Sequence, residues 1–287
     1  MPHAASADVT IWIDPPLWPA HGRLWSHLIS DTSLAELHDF ARRAGIDRRS
    51  FEGDHYDVPA ERHQELVRAG ARLTSGTMLA RRLRDSGLRF RKRKGERPLA
   101  RVPDGLAAVG GPHTLDVVAS SHEPPRTAGA SVVVITDPQH RLVLVRSVSR
   151  VSWSPPGGKR DGEEGVRAGA VREVAEETGL HLSSTALVPL GYERITVRPG
   201  DEVAPWDTGD NHIAVFGIEV PSGMPVAPHA PDVAEAQWVT LEQGELRCGS
   251  EPWWPLVGRW LDQLGSAPAK GPAAPSPSAT TPRRPSR

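Results

Sequence analysis

Apolar and polar residues repeat with two different rhythms along this chain, and the change of rhythm divides it in two. Residues 9–13, VTIWI, are a β-branched and aromatic run that predicts a short strand. After it, Leu34, Leu37, Phe40 and Ala41 recur at helical spacing until Gly45. The preceding SLAE reads as a capping box, in which Ser33 caps the helix and Glu36 reaches back. Pro59 opens a second predicted helix ending at Gly70, and Thr74 or Ser75 caps a third that runs through Leu79 and Leu83 to Gly87. These elements predict a small α/β unit.

Periodicity fades over residues 104–128, where Gly, Pro and Ser mix without pattern, and a linker is expected there. It resumes in SVVVITDPQHRLVLVR, two β-branched runs joined by Asp137-Pro138, which predicts strand, turn and strand. Further strand candidates lie at 186–198, 212–220 and 236–241, and Trp253, Leu256, Val257, Trp260, Leu261 and Leu264 predict a closing helix. Beyond it the chain is too rich in Pro, Ala and Ser to bury a core. The expected organisation is a small α/β domain over 1–103, a linker over 104–128, a second domain over 129–264 and a disordered tail over 265–287. Core packing is the favoured role of Trp153 and Trp238, over base stacking.

Composition narrows the function classes. A net charge of -1 argues against a general polyanion binder. Basic residues are nevertheless concentrated between Arg81 and Arg101, with ten Lys or Arg against two acids. That segment, around RFRKRKGER, is read as a solvated flank in preference to a nucleic-acid or phosphate contact. Cys248 is the single cysteine, so an intrachain disulfide and a thiolate zinc site are excluded, as suits a reducing compartment. With neither a signal-like N-terminus nor an apolar run of about eighteen residues, a soluble cytoplasmic protein without membrane contact is expected.

The chemistry is concentrated in PPGGKRDGEEGVRAGAVREVAEETGL, residues 155–180. Glu173, Glu176 and Glu177 fall at i, i+3 and i+4, so three carboxylates share one helix face, although like charges a turn apart repel. Ala170, Val171, Val174 and Thr178 project to the other side as a stripe for packing on a sheet. Gly169, one turn before Glu173, is expected to keep space open beside the carboxylates. Such a cluster suits Mg²⁺ or Mn²⁺, which take oxygen ligands and complete their shell with water and substrate phosphate. Zinc fits poorly, because no nearby Cys or paired His supplies softer ligands. Gly157-Gly158 lets the backbone approach an ion or phosphate closely.

The same residues carry a resemblance to the Nudix hydrolase family. Its signature is a glycine, five residues, a glutamate, seven residues, then Arg-Glu-apolar-any-Glu-Glu-any-Gly-apolar. Gly158, Glu164, Arg172, Glu173, Val174, Glu176, Glu177, Gly179 and Leu180 occupy every fixed place. The resemblance extends over residues about 129–245 and implies a Nudix-type α/β/α sandwich with a mixed sheet. It further implies that Glu173, Glu176 and Glu177 hold the metal, helped by the carbonyl of Gly157. Arg172 would orient a carboxylate, and Glu164 would support the loop or reach an outer metal. The implied activity is hydrolysis of a diphosphate linkage in a nucleoside diphosphate joined to another moiety. Glu173 is one candidate general base. The loop RPGDEVAPWDTGD offers others in Asp201, Glu202, Asp207 and Asp210, and PDVAEAQW offers Asp232 and Glu235.

The N-terminal unit, from residue 8 to about 90, resembles a small bacterial family of unknown function. His27, Asp31, His55 and Asp57 are its candidate ligands or acid/base pairs, although capping and core hydrogen bonds explain such residues more often. A non-catalytic sensor, binding a nucleotide derivative and regulating a partner, is the rival reading of the chain. Retention of all the box carboxylates favours catalysis.

Overall fold

The computed structural model describes residues 11–106, 110–125, 127–149 and 151–266. The expected tail, apart from residues 265 and 266, lies outside them, as do residues 9 and 10 of the first predicted strand. The chain runs β1 (Ile11–Ile13), β2 (Trp18–Ala20), β3 (Arg23–Ser30), α1 (Leu34–Arg43), β4 (Tyr56–Pro59), α2 (Ala60–Arg68), β5 (Arg72–Leu73) and α3 (Gly76–Asp85). It continues with β6 (Arg97–Pro103), β7 (Thr114–Ala119), β8 (Ala130–Thr136), β9 (Leu142–Ser147), β10 (Gly157–Lys159) and α4 (Val166–Thr178). It ends with β11 (Val188–Val197), β12 (Gly209–Glu219), β13 (Val233–Val239), α5 (Leu241–Cys248) and α6 (Pro255–Ser266).

The first five strands form one sheet, ordered β2-β3-β1-β5 with β4 also on β3, and only β1 and β5 run parallel. Its core gathers Ile11, Ile13 and Leu28 from the sheet with Leu37 and Phe40 of α1 and Leu66 of α2. Ile29 packs instead with Leu79 and Leu83 of α3. Ser33 caps α1 by accepting from the Glu36 amide at 3.1 Å. The carboxylate of Glu36, however, accepts from Ser30 Oγ, and that same oxygen takes the Ser33 amide, so Ser30 fills the place expected for Glu36.

The second sheet has eight strands, ordered β13-β9-β8-β12-β11-β7-β6, with β10 also on β8. Only β8 and β12 are parallel, so the sheet is mixed. One face packs Val133, Ala214 and Phe216 against Ala170 and Val174 of α4. The other packs Val117, Val134 and Val215 against Cys248 of α5 and Leu256, Val257 and Trp260 of α6. Helices therefore cover both faces, giving the α/β/α sandwich. Trp153 packs beside the second face, and Trp238 packs beside the first with its indole N–H on the Met224 carbonyl at 2.8 Å.

Residues 104–128, expected to be a linker, contain β7, and the preceding β6 also belongs to this second sheet. β6 carries two prolines and no apolar run. Pro98 sits where the β6–β7 register shifts, and the strand lies at the sheet edge, the position where proline is tolerated. Asp116 of β7 is 1% exposed and bonds Arg101 of β6 at 2.6 and 2.9 Å and Arg194 of β11 at 2.5 and 3.1 Å. Those two guanidiniums also donate to the carbonyls of Leu88 and Arg91. The basic segment is thus engaged on both sides. Arg91 pairs with Asp210, Lys92 with Glu52, Arg93 with Glu96, and Arg89 lies 3.6 Å from Asp54.

Candidate active site

The carboxylate face of α4 is built between a glycine strand and an arginine. β10 lies antiparallel on β8, pairing Gly157 with Val132. A Cβ at Gly157 would fall 2.2 Å from the Ser131 carbonyl, and one at Gly158 would fall 2.5 Å from the Glu173 carboxyl. The strand can therefore lie against the sheet only with glycine at 157, and a side chain at 158 would displace the Glu173 carboxyl. The Gly157 amide donates to Glu177 at 2.8 Å, which fixes that carboxylate toward the strand.

Arg172 gathers the remaining acids. It donates to Glu164 at 2.8 and 3.4 Å, and to Glu173 and Glu176 at 3.0 Å each. It also takes the Lys159 carbonyl at 3.0 Å. Glu164 in turn accepts from the Asp161 amide at 2.7 Å, closing the loop between β10 and α4. The Arg172 bond, then the Asp161 amide, hold the Glu164 carboxyl below the usual carboxylate range. Glu173 goes the other way. Burial pushes its carboxyl up by more than Arg172 draws it down, and Glu176 adds repulsion.

Gly169 does not leave an open space. A Cβ there would meet Glu164 Oε1 at 2.8 Å, so the room it provides is filled by the Glu164 carboxyl that Arg172 holds. The buried side of α4 is formed by Gly169, Ala170, Val174 and Thr178, and Gly179 ends the helix in the left-handed conformation.

All the donors on this face are oxygens, the set that suits a hard divalent ion. Among the described residues, Glu173, Glu176 and Glu177 do not place three ligand atoms within 4.8 Å of one another; His27, His55 and Asp57 do. Arg172 bonds both Glu173 and Glu176, and Glu177 is turned to the Gly157 amide. An ion joining all three acids therefore requires side-chain rotation, with the backbone frame already set.

The acids expected as loop bases occupy varied surroundings. Asp210 accepts from Thr196 at 2.9 Å and pairs with Arg91. Glu235 pairs with Arg146 across β13 and β9. Glu202, Asp207 and Asp232 are exposed, and Asp201 is partly so. In the first unit, His27, His55 and Asp57 converge, whereas Asp31 pairs with Arg82 at 3.1 Å on α3. Asp14 and Asp54, which sequence spacing did not single out, stand behind the two histidines. Asp54 precedes His55 in the chain and was in that sense readable; Asp14 reaches His27 only through strand pairing.

Residues 125–259 match the family model described as the NUDIX domain, and residues 11–86 match one described as a protein of unknown function, DUF4031. The second unit thus matches the Nudix domain and the first matches DUF4031. Among curated proteins, the chain is 37% identical over 68 residues to a putative 8-oxo-dGTP diphosphatase of Bacillus subtilis (strain 168), covering 24% of this chain and 44% of that one. It therefore spans under half the length of that relative. Among solved structures, a C. elegans Ap4A hydrolase binary complex aligns at 18% identity and TM-score 0.36, covering 47% of this chain and 98% of that one. The NUDIX domain of Shewanella oneidensis NrtR, complexed with ADP ribose, aligns at 15% identity and TM-score 0.39, covering 49% and 90%.

Proposed function

We propose that the second unit hydrolyses a diphosphate linkage in a nucleoside diphosphate joined to another group. The observation that carries this reading is the complete box, with Arg172 bonded to Glu164, Glu173 and Glu176 in one network. A divalent ion is the family's general requirement. Here the oxygen donors favour Mg²⁺ or Mn²⁺, held by Glu173, Glu176 and Glu177 with the Gly157 carbonyl. The ion would neutralise phosphate oxygens and acidify a water.

The chain's own residues supply the rest. Arg172 orients Glu173 and Glu176 and offsets their repulsion, and Glu164 locks Arg172 to the loop. Glu173, raised by burial, is the box's candidate to take the proton of the attacking water. Asp232, Glu235, Glu202 and Asp210 remain the loop candidates, of which Asp210 and Glu235 already serve ion pairs. The single cysteine is consistent with a cytoplasmic setting. No described helix is long and apolar enough to cross a membrane.

The test is phosphate release from nucleoside diphosphate derivatives and nucleoside triphosphates, with and without added phosphatase, in Mg²⁺ or Mn²⁺. An oxidised purine triphosphate belongs in the panel because of the relative's name. Glu177→Ala is expected to abolish turnover while leaving the fold intact, a larger loss than the roughly ten- to hundredfold typical of an outer-shell partner. Full activity in E177A would remove the assignment. Silence across the panel with a nucleotide still bound in calorimetry would favour the sensor reading.

A further inference from the structure

The first unit holds a second cluster with a different donor chemistry. In the β3–β4 pair, His27 lies directly opposite Asp57, and Leu28 lies opposite Tyr56. Side chains alternate across a sheet, so His55 and Asp57 share the face of His27, while Tyr56 and Leu28 turn into the core. The register alone brings two imidazoles and a carboxylate together. His55 Nε2 is 3.3 Å and His27 Nε2 3.9 Å from Asp57 Oδ1, and the two rings are 5.1 Å apart at 75°.

The opposite ring nitrogens are anchored. His27 Nδ1 lies 3.1 Å from Asp14 Oδ2, and His55 Nδ1 lies 2.5 Å from Asp54 Oδ1. Both carboxylates are buried, at 1% and 3% exposure, and each is fixed by further donors. Asp14 also accepts from the His27 amide at 2.6 Å and the Trp18 indole at 2.9 Å. Asp54 also accepts from the Phe90 amide at 2.6 Å. An ionised carboxylate can only accept, so each Nδ1 carries a proton, and each Nε2 faces Asp57. Two imidazole nitrogens and an anion facing one another across such gaps call for something positive between them, either a proton on a ring or a metal ion. Of the cations near the cluster, Lys92 bonds Glu52 at 2.8 Å, and Arg89 reaches Asp54 from behind.

We propose that His27, His55 and Asp57 form a second metal site, for zinc or a similar transition ion, with one coordination position open to solvent. The spacing supports it, since two ligand atoms about 2.0–2.1 Å from one tetrahedral ion lie about 3.3–3.4 Å apart. Imidazole backed by carboxylate is also the usual outer-shell arrangement of such sites. Two imidazoles with one carboxylate select borderline ions over the hard ions that suit the α4 face. The site is not sealed. The side chains of Asp57 and His27 are 40% and 25% exposed, and the Trp18 ring stands 5.2 Å from His27 beside the opening. Three protein ligands with a solvent position is the arrangement that lets an ion activate water.

Cobalt(II) distinguishes the two sites in the full chain. A site with two imidazoles and low coordination gives an intense visible band, while octahedral, all-oxygen coordination gives a weak one. The expected result is an intense band saturating at one cobalt per chain, unchanged in Glu177→Gln and displaced by zinc. Asp57→Asn and His55→Gln should each weaken or abolish it. Asp57→Asn is the gentler change, because the side chain is partly exposed, and far-UV circular dichroism checks that both variants fold. An absent band in the wild-type chain would overturn the proposal and leave a cluster neutralised by protons alone. So would a band that persists unchanged in both variants.

Discussion

At the scale of single residues, the positions that matter most are those whose partners are fixed from several sides. Arg172 makes four kinds of contact, to Glu164, Glu173, Glu176 and the Lys159 carbonyl, which a lysine cannot reproduce with its single compact charge. Arg172→Lys is expected to lower kcat by about ten- to a hundredfold, the range for outer-shell partners, with unfolding in urea little changed. Glu193 presents the opposite case. It is buried on the α6 side of β11 with Oε1 unpartnered, and burial, aided by Glu251, pushes its carboxyl up to about 7. Because its folded value exceeds the unfolded one, its relative stabilisation is full below pH about 4.5 and is lost as pH rises through about 7. Glu193→Gln should therefore raise the urea midpoint at pH 8 by more than it does at pH 5. An equal effect at both values would mean the group ionises alike in both states. The family resemblance implies a carboxylate-orienting Arg172, whereas neither the burial of Glu193 nor the filling of the space at Gly169 by Glu164 leaves a mark in sequence.

At the scale of elements, legibility followed the strength of the apolar rhythm. β8 and β9 are nearly continuous apolar runs, and α1, α3 and α6 carry clear stripes. β6 was hidden by its prolines. α5 was also missed, because LEQGELRC has a glycine at its centre and little apolar periodicity, although Thr240 and Gln243 form a full capping box that was there to be read. The closing helix α6 shows how such pieces are held. Trp260 packs on Gly217 of β12, where a Cβ would sit 2.7 Å from the indole, and its N–H donates to Thr136 Oγ1 at 2.9 Å. Trp260→Ala removes both the packing and the donor and should cost about 3–5 kcal/mol, read as a fall in the urea midpoint. A loss under about 1 kcal/mol would show that α6 contributes little to the sandwich.

At the scale of the whole molecule, the chain order is interlocked with the sheet order. The segment after α3 crosses to the second sheet, where Phe90 packs with Val118 and Tyr192 while its amide is bound by Asp54 of the first unit. Gly53 fits against Pro98 so closely that a Cβ would fall 2.3 Å from the proline ring. Composition marked residues 104–128 as a joint because turn residues dominate there. Pairing partners lie far along the chain, so β7 could not be assigned to β11 from local pattern alone. A chain beginning at residue 129 would strip β6 and β7 away and leave β11, ten residues long, as a bare edge. Such a fragment is expected to aggregate on size-exclusion chromatography, whereas one beginning at residue 88 should elute as a discrete species. The apparent seam is consequently not where the first unit can be cut away: of the hairpin that closes the second sheet, β6 lies upstream of that seam and β7 inside it, and grafting a different module there would also require rebuilding that wall.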